Sequence, residues 1–124
     1  MCLLVKRQWW QVKEEKHRKE AYATLDKIFG EFSEGTGSME AYLDVQSRFD
    51  RYSVANAILV SAQKPDAVQL KDYSTWKQNR IFVNKDAHKI VILEPGKEYT
   101  REDGSKAVGY NAKIVYDISD TSAA

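Results

Sequence analysis

The most constraining stretch of this sequence is an apolar run between Ser53 and Pro65, because almost every position around its helical circumference is hydrophobic. Ser53 is a suitable N-cap, since its side-chain oxygen can accept a hydrogen bond from a first-turn N–H. Pro65 ends the run, because proline disfavours helical geometry at the residue before it. A helix that is apolar on all sides normally lies at the centre of its domain. We therefore predict a central helix over residues 53–64.

Two amides interrupt this apolar run, Asn56 and Gln63. An amide buried without a hydrogen-bond partner costs roughly 1–3 kcal/mol in desolvation, so each side chain needs a partner. The partner is either neighbouring backbone, in which case the amides fix the packing, or a bound ligand. We favour the backbone, because most side-chain hydrogen bonds in proteins go to backbone or water.

Two amphipathic helices are predicted before the central one, separated by a small-residue loop at 33–38 with Ser38 as the second N-cap. The first helix begins at Gln11, and its first half has solvated i,i+4 charge pairs, Glu14/Arg18, Glu15/Lys19 and Lys16/Glu20. Its second half docks through Leu25, Ile28, Phe29 and Phe32. The second helix covers residues 39–50 and faces the core with Met39, Tyr42, Val45 and Phe49.

The periodicity changes from helical to extended in the second half of the chain. Asp72 opens a short helix, residues 89–94 form a β-branched strand, and Pro95-Gly96 ends or bends it. Asp103-Gly104 predicts a tight turn. Residues 108–118 then alternate as a half-buried strand, with Val108, Tyr110, Ala112, Ile114, Tyr116 and Ile118 on one face. We predict an α+β fold, with N-terminal helices packed on a small antiparallel β-sheet made by a C-terminal β-meander or hairpin.

The composition excludes several classes of protein. The chain has 124 residues, enough for one domain with a substantial core. One cysteine and two separated histidines give neither a disulfide nor zinc-ligand spacing, so we expect no metal and no cofactor. Motifs of hydrolases, nucleotide-binding proteins and zinc peptidases are missing, and we expect no enzyme activity. No apolar run is long enough for a membrane span, so we expect a cytoplasmic protein without a membrane partner.

A basic and aromatic stretch covers residues 71–89, which contain five Lys or Arg residues and only two Asp residues. Tyr73, Trp76 and Phe82 interleave these cations, a pattern typical of single-strand binding, where cations follow phosphates and rings stack bases. Trp76 is equally suited to the core, an interpretation with at least even weight. The terminal pair Trp9-Trp10 has two interpretations as well, a stacking platform or packing against the body of the domain, and the second is the commoner.

Several short motifs in this order resemble the N-terminal domain of ArdC-type antirestriction proteins. They are Tyr52-Ser53-x-x-Asn56, Gln63-x-Pro65-x-Ala67, Tyr73-x-x-Trp76-Lys77, Val83-Asn84-Lys85, residues 90–95 and Val115-Tyr116-Asp117-Ile118. The resemblance covers residues 11–121. It implies a single-stranded DNA-binding domain of plasmids and conjugative elements, fused in some proteins to a metallopeptidase or primase domain, and it implies roles for Tyr52, Ser53, Asn56, Gln63, Tyr73, Trp76, Lys77, Lys85, Lys89 and Asp117. The chain differs at its Lys85–Lys89 turn, which lacks a glycine, and at Asp120, where the family commonly has Gln.

We therefore expect a sequence-independent, non-enzymatic single-stranded DNA-binding domain over residues 11–121. Residues 1–10 are not assigned to an element, and residues 122–124 form a polar tail, either a true end or a cut linker. The predicted DNA-binding residues are Tyr52, Asn56, Gln63, Tyr73, Trp76, Lys77, Arg80, Lys85 and Lys89. The alternative is a protein-interaction module without nucleic-acid binding, in which Trp9, Trp10 or Tyr99 anchor a partner.

Overall fold

The computed structural model of the chain describes residues 8–35 and 39–124. The helices are α1 (Trp9–Glu34), α2 (Met39–Arg48), α3 (Val54–Gln63) and α4 (Tyr73–Gln78). The strands are β1 (Leu70–Lys71), β2 (Ile90–Thr100) and β3 (Lys106–Asp117), followed by a 3₁₀ turn over Ile118–Asp120. The strands form one antiparallel sheet in the order β1-β3-β2. The predicted α+β class is confirmed.

Helix α3 is the central element, as its apolar circumference predicts. The Ser53 side chain caps it by accepting a hydrogen bond from the Asn56 backbone N–H at 3.1 Å. Four consecutive residues, 57–60, are buried, which only a helix enclosed on several sides can achieve. Ala57 and Val60 pack with α2 and with Ile90, Ile92 and Val115 on one face of the sheet. Ile58 and Leu59 pack with α1 and with Leu93 on the other face.

The two amides of α3 cover the free edge of β2. The Asn56 side chain donates to Leu93 O and accepts from Leu93 N, both at 2.8 Å. Gln63 makes the same pair of bonds with Val91, at 2.7 and 2.8 Å. An unpaired strand edge exposes a row of N–H and C=O groups that can pair with another chain. Asn56 and Gln63 therefore substitute for a missing strand, and the predicted backbone role of these amides is confirmed.

The helical predictions differ from the structure at several positions. Helix α1 begins at Trp9, before the predicted start, and its buried seam runs through Ala21 and Leu25. Phe29 is 47% exposed, because it lies at the margin of that seam, about 80° around the helix from Ala21. Met39 is 50% exposed at the start of α2. Glu14/Arg18 and Glu15/Lys19 form ion pairs, whereas Glu20 approaches His17. The predicted cap Ser38 lies outside the described residues.

The predicted strands differ in length and in the face they bury. β1 was not predicted, because two residues are too short to carry a period. β2 continues past Pro95 to Thr100 through an irregularity in its pairing with β3 between Pro95 and Glu98. In β3 the fully buried side chains are Val115 and Asp117, on the face opposite the predicted one, whereas Val108 and Tyr110 are exposed. The face of β3 that carries the alternating apolar residues is not the more buried one, because α1 covers only part of that side of the sheet.

Candidate nucleic-acid interface

The predicted cations lie between the last turn of α4 and the start of β2, a segment that we call the basic connection (residues 77–89). The C-terminal segment holds it in place: Phe82 and Ser122 exchange hydrogen bonds, at 2.8 and 2.9 Å, and Val83 forms a bridge with Thr121. Asp120 fixes the last turn, accepting from Asn84 N through its carbonyl and from His88 N through its carboxylate. Asp120 thus shapes this turn through both its carbonyl and its carboxylate.

The four predicted cations of the basic connection are exposed and unpaired. Lys77, Arg80, Lys85 and Lys89 are solvent-exposed. Within residues 8–35 and 39–124 none of them forms an ion pair, whereas other basic side chains do, namely Arg18, Lys19, Arg48, Lys64, Lys106 and Lys113. A cation without a carboxylate partner retains its attraction for an external anion. These cations can therefore contact phosphates.

Trp76 is not a stacking residue, and this prediction is corrected. Its side chain is 1% exposed, and its indole Nε1 donates a hydrogen bond to Tyr116 O at 3.0 Å. The Lys71 ammonium covers the ring at 5.0 Å from its centroid. Asp72 caps helix α4 by accepting from Thr75 N, and Trp76 is the buried residue of this helix. The structural interpretation of this residue holds, and Trp76 supports the strand that carries Tyr116.

The remaining predicted residues are not brought to one place. Tyr52 is half-buried and stacks on Phe49 with ring centroids 5.1 Å apart, and burial raises the pKa of its hydroxyl. Asn56 and Gln63 use their amides on β2, so neither is free to read a base. Tyr73 is 54% exposed. It lies near Tyr116, whose pKa is raised by burial and by that neighbouring hydroxyl.

Asp117, one of the residues matched to the family, holds the chain together rather than facing solvent. It is 1% exposed and accepts hydrogen bonds from Val68 N, Gln69 N and both donors of Ser119. Burial by itself raises the pKa of the Asp117 carboxyl, but these bonds favour the charged form and hold the pKa below its ordinary value. The carboxylate joins the segment before β1 to the end of β3.

A second feature beside the basic connection combines rings and cations, and we call it the aromatic cleft. It has a volume of about 260 Å³ and is lined by Trp9, Trp10, Lys13, Glu14, His17, Lys89, Ala112, Ile114 and Tyr116. The two tryptophans begin α1 and remain 70% and 62% exposed. The local sequence pattern predicts no helix or strand at Trp9 and Trp10. Their adjacency to Tyr116 depends on long-range packing of α1 on β3 and has no local signal.

Polar contacts fix the position of α1 beside the cleft. Glu14 Oε1 accepts a hydrogen bond from Ala112 N at 2.8 Å, which joins the first half of α1 to the edge of β3. The Lys13 ammonium lies 4.3 Å from the centre of the Trp9 ring. Lys89 belongs both to the basic connection and to the cleft. The cations and the exposed rings are therefore continuous at Lys89.

The other features of the described residues do not suggest a second polar or metal-binding site. A second cavity, of about 250 Å³, is lined mainly by apolar atoms of Tyr22, Leu25, Leu93 and their neighbours. No three histidine, cysteine or acidic side chains converge as metal ligands within the described ranges. None of the described helices combines the length and apolar content required to cross a lipid bilayer.

Comparison with protein-family models, curated proteins and solved structures gave no match to this chain.

Proposed function

We propose that this chain is a sequence-independent single-stranded DNA-binding domain of a plasmid or conjugative element, of the antirestriction type. The observation that carries the proposal is the run of exposed, unpaired cations along the basic connection, which ends beside the exposed rings of the aromatic cleft. Proteins that bind single strands without sequence preference combine these two features. The motif resemblance to ArdC-type N-terminal domains supports the same function.

The proposal assigns the chain a binding role without a catalytic step, and a cytoplasmic location. Phosphates contact Lys77, Arg80, Lys85 and Lys89, and no cofactor takes part. Sequence-independent recognition follows from the kind of contact, since phosphates are the same at every nucleotide and every base has a face that can stack. A fused or partner metallopeptidase or primase domain belongs to this proposal through the resemblance alone.

The test is fluorescence anisotropy of a labelled single strand of about 20 nucleotides, titrated with the full chain at several salt concentrations. We expect the double variant Lys85→Glu/Lys89→Glu to bind more weakly. It should also flatten the dependence of log K on log salt by about 1.4, because each lost phosphate contact on a single strand contributes about 0.7. Lys27→Glu/Lys97→Glu is the matched control, since both lysines are exposed and lie outside the connection and the cleft. Equal affinities of the test and control variants would contradict the proposal.

A protein-interaction module is the second candidate function. The β2–β3 hairpin beyond Pro95 exposes Tyr99, Val108 and Tyr110, which are between 44% and 51% accessible. Exposed aromatic residues are frequent anchors in protein interfaces. A chain that binds no single strand at low salt, yet loses a protein partner on Tyr99→Ala, would favour this candidate over DNA binding.

A further inference from the structure

We infer that the aromatic cleft is the base-stacking site for the single strand, with Trp9 and Trp10 as the stacking residues, Tyr116 in the wall beside them, and Lys13 and Lys89 on phosphates. This inference rests on the proposed function and adds to it the residues that contact bases. Those residues differ from Trp76, the ring that the sequence pattern places among the cations.

Accessibility of the rings is the first argument. A stacking residue must offer a ring face to solvent in the free protein, as Trp9 and Trp10 do at 70% and 62% exposure. Large aromatic side chains normally bury most of their surface, so two adjacent exposed tryptophans on an ordered helix indicate a surface with a ligand. Glu14, bonded to Ala112 N, holds this end of α1 against β3. The platform is thus fixed before the ligand arrives.

Charge around the rings identifies the ligand. Lys13 lies over the Trp9 ring, and Lys89 lines the same cleft as Tyr116. Neither lysine forms an ion pair among the described residues. A peptide with apolar side chains would leave both cations without a counter-charge, whereas a nucleotide supplies a flat ring and a phosphate together. Of the two, a nucleotide is the occupant that matches the rings and both lysines, and the Glu14 carboxylate of the lining is already engaged by Ala112 N and Arg18.

The aromatic cleft is continuous with the basic connection, and together they form a path for a DNA single strand. Lys89 ends that connection and also lines the cleft, so a chain of phosphates that follows Lys85 and Lys89 arrives at the rings. A duplex cannot use this site, because its bases are already stacked on one another. The cleft therefore selects an unpaired strand, while the cations of the connection supply attraction for any phosphate backbone.

The experiment compares two labelled strands of about 20 nucleotides, poly-dT and an abasic strand with the same number of phosphates. Three proteins are titrated: the wild type, Trp9→Leu/Trp10→Leu, and Trp9→Phe/Trp10→Phe. Leucine keeps an apolar side chain without a ring, and phenylalanine keeps a ring. Tyr99→Leu is the control, because Tyr99 is 51% exposed and lies on the distal hairpin away from the cleft. Circular dichroism establishes that each variant is folded.

We expect the leucine variant to lose roughly 5- to 150-fold in affinity for poly-dT per ring removed, and to bind the abasic strand as the wild type does. The phenylalanine variant should retain most of the poly-dT affinity. Its single remaining tryptophan, the buried Trp76, should show no fluorescence change on binding, whereas wild-type emission should be quenched by stacked bases.

Three results would overturn the inference. Wild-type affinity of the leucine variant for poly-dT, together with weak binding by Lys85→Glu/Lys89→Glu, would remove the cleft from the site and leave the proposed function intact. An equal loss of affinity for poly-dT and for the abasic strand would show that the rings do not contact bases. Absence of binding to either strand by the wild type at low salt would refute the inference and the proposed function together.

Discussion

Trp76 illustrates how one residue type serves two purposes that sequence cannot separate. Its position among lysines fits base stacking, but its indole is buried and donates to the backbone of β3. Burying a tryptophan removes a large apolar surface from water, and the hydrogen bond satisfies its N–H. The same bond fixes the strand beneath Tyr116. Trp76 can therefore act on the proposed interface only through the position of that strand.

We expect Trp76→Phe to lower the free energy of unfolding by about 1–3 kcal/mol, because Tyr116 O loses its donor and the smaller ring leaves a void. Urea unfolding measures this loss. The affinity of the folded variant for a single strand should change less than that of Trp10→Leu, which removes an exposed ring and should leave stability nearly unchanged. A larger affinity loss in Trp76→Phe than in Trp10→Leu would contradict the buried role.

Asp117 makes the free energy of unfolding depend on pH in acidic solution. Because hydrogen bonds hold its folded-state pKa below the ordinary value of 3.8, the folded protein binds fewer protons than the unfolded chain in this range. The stabilisation is complete above that value and is lost as the pH falls through the folded-state pKa. We expect Asp117→Asn to cost about 1–3 kcal/mol at neutral pH, since the donors of Ser119 then face an amide NH₂.

The pH series that checks this compares urea unfolding of the wild type and Asp117→Asn between neutral pH and strongly acidic solution. The difference between the two proteins should shrink as the pH falls. Some acid sensitivity should persist in the variant, because hydrogen bonds from Thr75 and Ser105 also lower the pKa of Asp72 and Asp103 respectively. Asp26→Asn, at an exposed position of α1, is the control. A difference that does not depend on pH would refute the role of the Asp117 charge.

At the scale of elements, the contact between α3 and β2 joins the helices to the edge of the sheet. A helix normally packs on the face of a sheet, but α3 also satisfies the sheet edge with Asn56 and Gln63. The two amides lie seven positions apart, which is two turns of one helical face. Their partners, Leu93 and Val91, are alternate residues of the strand, whose outward N–H and C=O groups point the same way.

We expect Asn56→Ala and Gln63→Ala each to cost about 2–4 kcal/mol, since each leaves an N–H and a C=O of β2 without a protein partner. Amide hydrogen exchange locates the effect: Leu93 should exchange faster in Asn56→Ala, and Val91 faster in Gln63→Ala. Gln78→Ala is the control, because Gln78 is exposed at the end of α4. Unchanged exchange at Val91 and Leu93 would mean that the amides do not protect this edge.

How much of the structure can be predicted from the sequence depends on how far apart in the chain the interacting residues are. Ser53 and Pro65 bound α3, and Asp72 caps α4, because capping acts between residues that are close in the chain. The amides of α3 were recognised as needing partners, yet β2, which provides them, lies 28 and 37 residues further on. The aromatic cleft depends on a contact between Glu14 and Ala112, 98 residues apart. No local pattern encodes that separation.

At the scale of the whole molecule, the charge balance decides what kind of binder this chain can be. With a formal net charge of +1, long-range attraction to nucleic acid is weak, and affinity must come from local contacts. A binder that used charge alone would favour duplex, which has the higher density of phosphates. Selection of a single strand therefore requires the rings of the aromatic cleft as well as the cations of the basic connection.

We accordingly expect the wild type to bind a single strand more tightly than a duplex of the same sequence, and the preference to collapse in Trp9→Leu/Trp10→Leu. The salt dependence of single-strand binding should remain as steep in that variant, because its phosphate contacts are intact. Lys85→Glu/Lys89→Glu should behave in the opposite way, with weaker binding to both forms and a shallower salt dependence. Anisotropy with both DNA forms at two salt concentrations separates the two contributions. Preference for the single strand that persists without the tryptophans would place the discrimination elsewhere on the molecule.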